Sequence, residues 1–235
     1  MLNDFIFVAL PYTTLALVLF VTPYRYLTNR LTWSAYSSQF LERRLLYWGS
    51  NPWHYGIIPV LAAHIISFAF PGEMKGFLGN QQTLLILESL GLGLGLLAML
   101  GCLLLILRRT NSAQLSRVTF SSDWLVLYLL AIQTGSGVYI GAFQRWGSQW
   151  YLHTAVPYLW SIVSFNPQPA YVADLPPVFK LHAACAFLVI AVLPFTKLVH
   201  LLYLPVAYLM DPPLLYRWRA SGSRRSKISR SSDTP

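Results

Sequence analysis

The chain alternates long apolar runs with shorter stretches rich in basic and aromatic residues. Five runs, at residues 5–27, 53–70, 83–107, 124–143 and 178–204, approach or exceed the roughly 20 residues that a helix needs to cross a bilayer core. The pattern predicts an all-α membrane protein. Residues 1–209 form a bundle of five transmembrane helices, and residues 210–235 form a basic, disordered, Ser/Arg-rich tail. The first run has Asp4 as its only charge before Arg25 and no small-residue cleavage site after it, so it is read as a retained helix and not a cleaved signal. Residues 144–177 carry Trp146, Trp150, Tyr151, Tyr158 and Trp160, which predicts a short amphipathic helix lying along a membrane interface.

Composition supports this reading. Hydrophobic residues make up 55% of the 235 and charged residues 11%, against about 25% charged in soluble domains. A 26.6 kDa globule has too little interior to hide that apolar surface, and a disordered chain would be polar and poor in aromatics. The net charge of +9 alone would suit a nucleic-acid partner, but its placement argues for topology instead. Thirteen Lys and Arg fall in the first and third connections and the tail. The opposite side holds Lys75, Arg145 and Lys180, and Lys197 lies within the fifth run. The positive-inside rule then puts the N-terminus outside and the C-terminus in the cytoplasm, with no nucleic acid implied. Cys102 and Cys185 lie in apolar runs and read as packing residues.

Ionisable groups within spans are costly and point to function. His54 and His64 lie on the second span, His182 and His200 on the fifth. Because these spans run in opposite directions, the pairs are His54 with His200 near the inner side and His64 with His182 near the outer side. Each pair takes one imidazole from each of two helices, as bundles do when they hold a cofactor in their core. Eighteen residues return His200 to the face of His182, while ten residues rotate His64 about 80° from His54, a difference that Pro59 can absorb. The axial separations, about 15 Å and about 27 Å on ideal helices, leave a mismatch of about 12 Å to be shared by tilt.

Two imidazoles per metal suggest two b-type haems with bis-histidine ligation, bound without thioether links since no CxxCH occurs. Arg108, Arg109 and Lys197 sit at the depth of the inner haem's propionates, or serve only as topological charges. Gly91, Gly93, Gly95 and Gly101 on the third span allow close helix approach or admit a porphyrin face. Glu88, a carboxylate within a span, either accepts a proton from a bound quinol or hydrogen-bonds to Ser or Gln. A haem-free proton or ion pathway and a passive membrane anchor stay open on these residues alone.

Particular motifs carry a family resemblance. The first inner connection reads Tyr24-Arg25-Tyr26, then Thr32-Trp33-Ser34-Ala35-Tyr36-Ser37-Ser38-Gln39-Phe40-Leu41-Glu42-Arg43. Ser50-Asn51-Pro52-Trp53-His54-Tyr55-Gly56 and Ala63-His64 follow, and later Lys180-Leu181-His182 and Pro194-Phe195-Thr196-Lys197-Leu198-Val199-His200. In order and spacing these resemble the gamma subunit of respiratory nitrate reductase, over nearly the whole chain apart from the tail. The resemblance implies a cytochrome b anchor in a bacterial or archaeal plasma membrane. Membrane quinol is oxidised at an outer haem held by His64 and His182, and electrons cross to an inner haem held by His54 and His200. They continue to an iron–sulfur beta subunit, docked in part by the first inner connection, and a molybdenum-cofactor alpha subunit reduces nitrate to nitrite. Family members carry a lysine near the outer start of the third span that helps to bind quinol. Here that stretch reads Gly79-Asn80-Gln81-Gln82-Thr83, with Lys75 the nearest lysine, so Gln82, Thr83 and Glu88 are the candidates for the quinol site. A dihaem subunit of a nitrite oxidoreductase, or of another iron–sulfur reductase, would share the same histidines.

Overall fold

The computed structural model describes residues 2–28, 41–144 and 146–201, and every regular element among them is helical. The predicted tail and the motif at residues 32–40 lie outside the described residues. Five long helices make up the bundle: α1 (Phe5–Thr28), α2 (Arg44–Ala69), α3 (Gln81–Asn111), α4 (Ser121–Phe143) and α5 (Pro177–Phe195). Four of them, α1, α3, α4 and α5, are each long and apolar enough to cross a membrane. The fifth, α2, qualifies only jointly with the short helix Pro71–Leu78, which leaves it at 111°. Its first half, with Arg44, Ser50, Asn51, Pro52 and His54, dilutes the apolar signal. Large apolar side chains such as Phe20, Leu90 and Phe143 stay exposed around the bundle, as lipid-facing positions do. This is a membrane protein.

Packing runs in a chain: α2 lies along α3, α3 on α4, α4 on α5 and α5 on α1. The α2–α3 seam is the tightest, and glycine makes it so. A methyl group on Gly101 would collide with the Trp53 and Gly49 backbone, and one on Gly56 would lie 2.5 Å from the Leu94 carbonyl. Of the four glycines singled out on the third span, Gly101 meets α2 and Gly95 faces Val138 at 3.3 Å, while Gly91 and Gly93 have no such neighbour. Close helix approach therefore accounts for two of the four.

Two boundaries depart from the hydrophobic pattern. The second helix begins at Arg44 instead of residue 53, because the Glu42 carboxylate caps its first turn, accepting from the Leu45 and Leu46 amides at 2.8 and 3.1 Å. The fifth run is not one helix to residue 204. It is α-helical to Val192 and tightens to a 3₁₀ turn at Leu193–Phe195. Thr196 is extended (φ −122°, ψ 178°), and a second 3₁₀ turn spans Lys197–Leu201. Pro194 lacks the N–H that would continue the ladder and disfavours helix in the residue before it. His182 and His200 are thus not on one uninterrupted helix, and the 27 Å separation expected of one does not apply.

The aromatic connection is helical over residues 147–163, entered through Trp146 at φ 68° and containing a π-helical stretch at Tyr151–Ala155 just before Pro157. It is helical, as expected of the aromatic stretch, and one face packs against the bundle. Tyr158 and Ile162 join Phe7 and Val172 in one buried cluster, while Leu152 and Val156 join Leu78 and Leu84 in another. The Tyr158 hydroxyl donates to the Phe7 carbonyl at 2.9 Å and Trp160 Nε1 to the Phe68 carbonyl at 3.0 Å, pinning the segment to α1 and α2.

Candidate functional site

Three of the four histidines are oriented by their own backbone. His54 Nδ1 lies 2.7 Å from the Ser50 carbonyl, His64 Nδ1 2.8 Å from the Val60 carbonyl, and His200 Nδ1 2.6 Å from the Lys197 carbonyl. A carbonyl can only accept, so Nδ1 carries the hydrogen and Nε2 keeps a lone pair directed away from the turn. That is the tautomer of an imidazole prepared to ligate a metal through Nε2. All three side chains are exposed in the isolated chain.

His182 is held differently, between side chains of α4. Its Nδ1 is 3.0 Å from Ser136 Oγ and its Nε2 is 3.0 Å from Gln133 Nε2. Gly137 lies against the same ring, where a Cβ would come within 3.1 Å of His182 Cε1. His64 and His182 share no hydrogen bond; the partner of the first lies on α2 and those of the second on α4. His54 and His200 make no hydrogen bond to each other. Across the His64 ring lies Tyr151, edge-on with centroids 4.9 Å apart, its hydroxyl donating to the His64 carbonyl at 3.1 Å. Burial pushes the Tyr151 phenol up to about 12, so it remains a neutral donor.

The predicted cations have partners of their own. Arg108, only 1% exposed, gives Nε to Glu42 Oε2 and a terminal nitrogen to the Glu42 carbonyl, both at 2.8 Å. Burial pushes the Glu42 carboxyl up, but the Leu45 and Leu46 amides together with Arg108 outweigh it and hold it below the ordinary range. Lys197 pairs with Asp123 Oδ2 at 2.8 Å, and the same oxygen accepts from the Phe120 amide at 3.2 Å at the start of α4. Arg109 reaches back to the Leu105 carbonyl at 3.4 Å.

Among the quinol-site candidates, Glu88 Oε1 accepts from the Ser148 hydroxyl at 2.7 Å and from its amide at 3.0 Å. The same short segment that carries Ser148 carries Tyr151, so Glu88 and His64 are tied to one element. Thr83 spends its hydroxyl on the Phe77 and Asn80 carbonyls, and the Gln82 side chain is exposed beside it. The sequence pattern did not single out Gln133, Ser136 or Gly137, and marked Tyr151 only as one aromatic of the outer connection. A signal was present in Gln133-Thr134-Gly135-Ser136-Gly137, a polar stretch inside an apolar run.

Among the described residues no three His, Cys, Asp or Glu side chains converge as a closed metal site would require. The histidines offer imidazole nitrogens on α2, on α5 and in the turn after α5, donors of the kind that bind haem iron. An all-helical membrane bundle with histidines borne on two of its helices defines the class. The chain belongs to the nitrate reductase gamma subunit family, which residues 3–219 match, as the motifs led us to expect. It is 31% identical to the nitrate reductase gamma chain of Bacillus subtilis (strain 168), covering 90% of this chain and 96% of that one. Identity is 30% to the respiratory nitrate reductase 1 gamma chain of Escherichia coli (strain K12), over 93% and 98% of the two chains. It is 28% to the nitrate reductase-like protein NarX of Mycobacterium tuberculosis, where the match covers 93% of this chain and 34% of the longer protein.

Proposed function

We propose that this chain takes electrons from membrane quinol and passes them across the bilayer to an iron–sulfur subunit, which feeds a molybdenum-cofactor subunit that reduces nitrate to nitrite. In this reading the five helices span a bacterial or archaeal plasma membrane, with the His64/His182 end outside and the His54/His200 end facing the cytoplasm. His64 with His182, and His54 with His200, would hold two b haems, which when bound supply one-electron carriage from one side to the other. The observation that carries the reading is the shared tautomer. His54, His64 and His200 each give Nδ1–H to a backbone carbonyl and present Nε2 outward from α2 and the α5 end.

The protein's own contribution is orientation, electrostatics and proton handling. Held by two imidazoles apiece, the haems would supply electron transfer and no other chemistry. Quinol oxidation releases two protons with its two electrons, and Glu88 is the proposed acceptor for one of them. Ser148 fixes its carboxylate from the covering segment. Gln82 and Thr83, at the start of the same helix, would contact the quinol headgroup in place of a lysine. Arg109 would serve a propionate at the inner end, where Arg108 and Lys197 are engaged by Glu42 and Asp123.

Membranes bearing the full complex provide the test. Added quinol should reduce the b-type absorbance, and nitrate should then reoxidise it. Glu88→Gln should slow the quinol-driven phase roughly 10²-fold or more while leaving dithionite reduction intact. Reduction driven only by nitrite would instead indicate a complex running in the opposite direction. No redox-active absorbance would favour a haem-free pathway.

A further inference from the structure

We propose that Ser136 is the positioning residue of His182 and that Gln133 holds its ligating nitrogen until iron displaces it, an inference that rests on the haem reading above. The hydroxyl of Ser136 has one hydrogen, and the Ile132 and Gln133 carbonyls stand 2.7 and 3.0 Å from it. With that hydrogen spent on a carbonyl of its own helix, Ser136 Oγ can only accept from His182 Nδ1. His182 therefore carries its hydrogen on Nδ1 and its lone pair on Nε2, the same tautomer as the other three histidines. The difference is who enforces it. For His54, His64 and His200 the acceptor is a backbone carbonyl that no side-chain substitution removes, whereas for His182 it is a single hydroxyl on a neighbouring helix.

Gln133 faces the other edge of the ring. Its amide nitrogen donates to the Nε2 lone pair, the atom that would bind iron. Its carbonyl Oε1 is buried without a hydrogen-bond partner, so the amide is tethered on one side only. On haem binding the Gln133 N–H···Nε2 hydrogen bond would be given up and His182 Nε2 would be free to hold the iron. No proton or electron moves, and the amide swings about its own broad terminal torsion. Gly137 completes the seat, since a side chain there would press on the ring. Ser136 thus acts as an outer-shell acceptor that raises the basicity of the imidazole and favours ferric iron, and Gln133 keeps the vacant ring in register.

Potentiometric titration of haem absorbance, with haem counted per chain, in membranes bearing the full complex tests this. Ser136→Ala should raise the midpoint potential of the His64/His182 haem alone and weaken its retention roughly tenfold or more. Ser136→Cys, a weaker acceptor of similar size, should give an intermediate upward shift. Gln133→Leu should leave that potential near wild type while speeding uptake of added haemin by haem-depleted membranes. If His182→Ala loses this haem but Ser136→Ala and Ser136→Cys titrate and retain haem as wild type does, the positioning role is overturned and the haem reading stands. If Gln133→Leu takes up haemin no faster, its holding role is overturned. If His182→Ala keeps both haems, the underlying ligand assignment fails. Should Ser136→Ala not accumulate, Ser136→Cys and Gln133→Leu decide the matter.

Discussion

The two ends of the bundle fix their histidines in different ways. At the His64/His182 end the surroundings are side chains from elsewhere: Tyr151 lies edge-on to His64, Ser136 and Gln133 grip His182, and Ser148 binds Glu88. The segment 147–163 covers this end and is itself anchored by Phe7, Leu78 and Phe68. At the His54/His200 end both imidazoles rely on local turns, while ion pairs secure the framework. Arg108–Glu42 ties the end of α3 to the entry of α2, and Lys197–Asp123 ties the segment after α5 to the start of α4. Arg25 donates to the Pro194 carbonyl at 2.6 Å, where α5 is broken. One end is organised by packing against a cover and the other by charge, so different perturbations should reach each.

The largest effect should erase the contrast. Gly101→Ala drives a methyl group into the α2 backbone, so α2, which bears one histidine of each pair, must move. Destabilisation on the order of 3 kcal/mol, seen as a lower melting temperature in detergent, should accompany loss of haem from both ends. A variant as stable as wild type would show that the α2–α3 seam tolerates separation.

Glu42→Gln should strike the charge-organised end alone. It removes the Glu42 carboxylate from the buried Arg108 guanidinium, at a cost of roughly 2–3 kcal/mol. Because the folded carboxyl lies below its ordinary value of 4.5, the ion pair stabilises fully above that value and is lost as pH falls through the depressed one. The melting-temperature gap between wild type and Glu42→Gln should therefore close on acidification and stay constant from neutral pH upward. A gap that widens in acid contradicts this.

Gly137→Ala should affect the packed end alone. The added methyl meets the edge of the His182 ring, at about 1 kcal/mol, with a spectral shift in one haem only. The smallest effect is expected from Asn80→Ala, which removes the side chain that caps α3 by accepting from the Gln82 amide at 2.8 Å. That should cost about 1 kcal/mol or less and leave both haem spectra unchanged.

These contrasts also show how far the sequence could be read. Spans α1, α3 and α4 follow from apolar length alone, because lipid imposes that length. The start of α2 did not, since its first turns are polar and are stabilised by Glu42, which lies before the apolar run. The end of α5 was written in Pro194, but a hydropathy pattern does not register a missing N–H. The histidines were legible as unlikely guests in apolar helices. Their supports were not, because Glu42 meets Arg108 across 66 residues and Asp123 meets Lys197 across 74, distances that only the packed bundle closes. Ser136 and Gln133 stood in view as polar residues in a span, yet nothing in their spacing said which histidine they would meet.

The central claim is that α2, α5 and the turn after α5 hold two haems through four histidines, and a haem count tests it most directly. The reduced-minus-oxidised spectrum of the purified chain, with haem measured per polypeptide, should show two b haems in wild type. One should remain in His64→Ala and in His182→Ala, the survivor being the same in both, and the other should remain in His54→Ala and in His200→Ala. Two haems retained in any of these variants, or none in folded, haem-supplied wild type, would contradict the account.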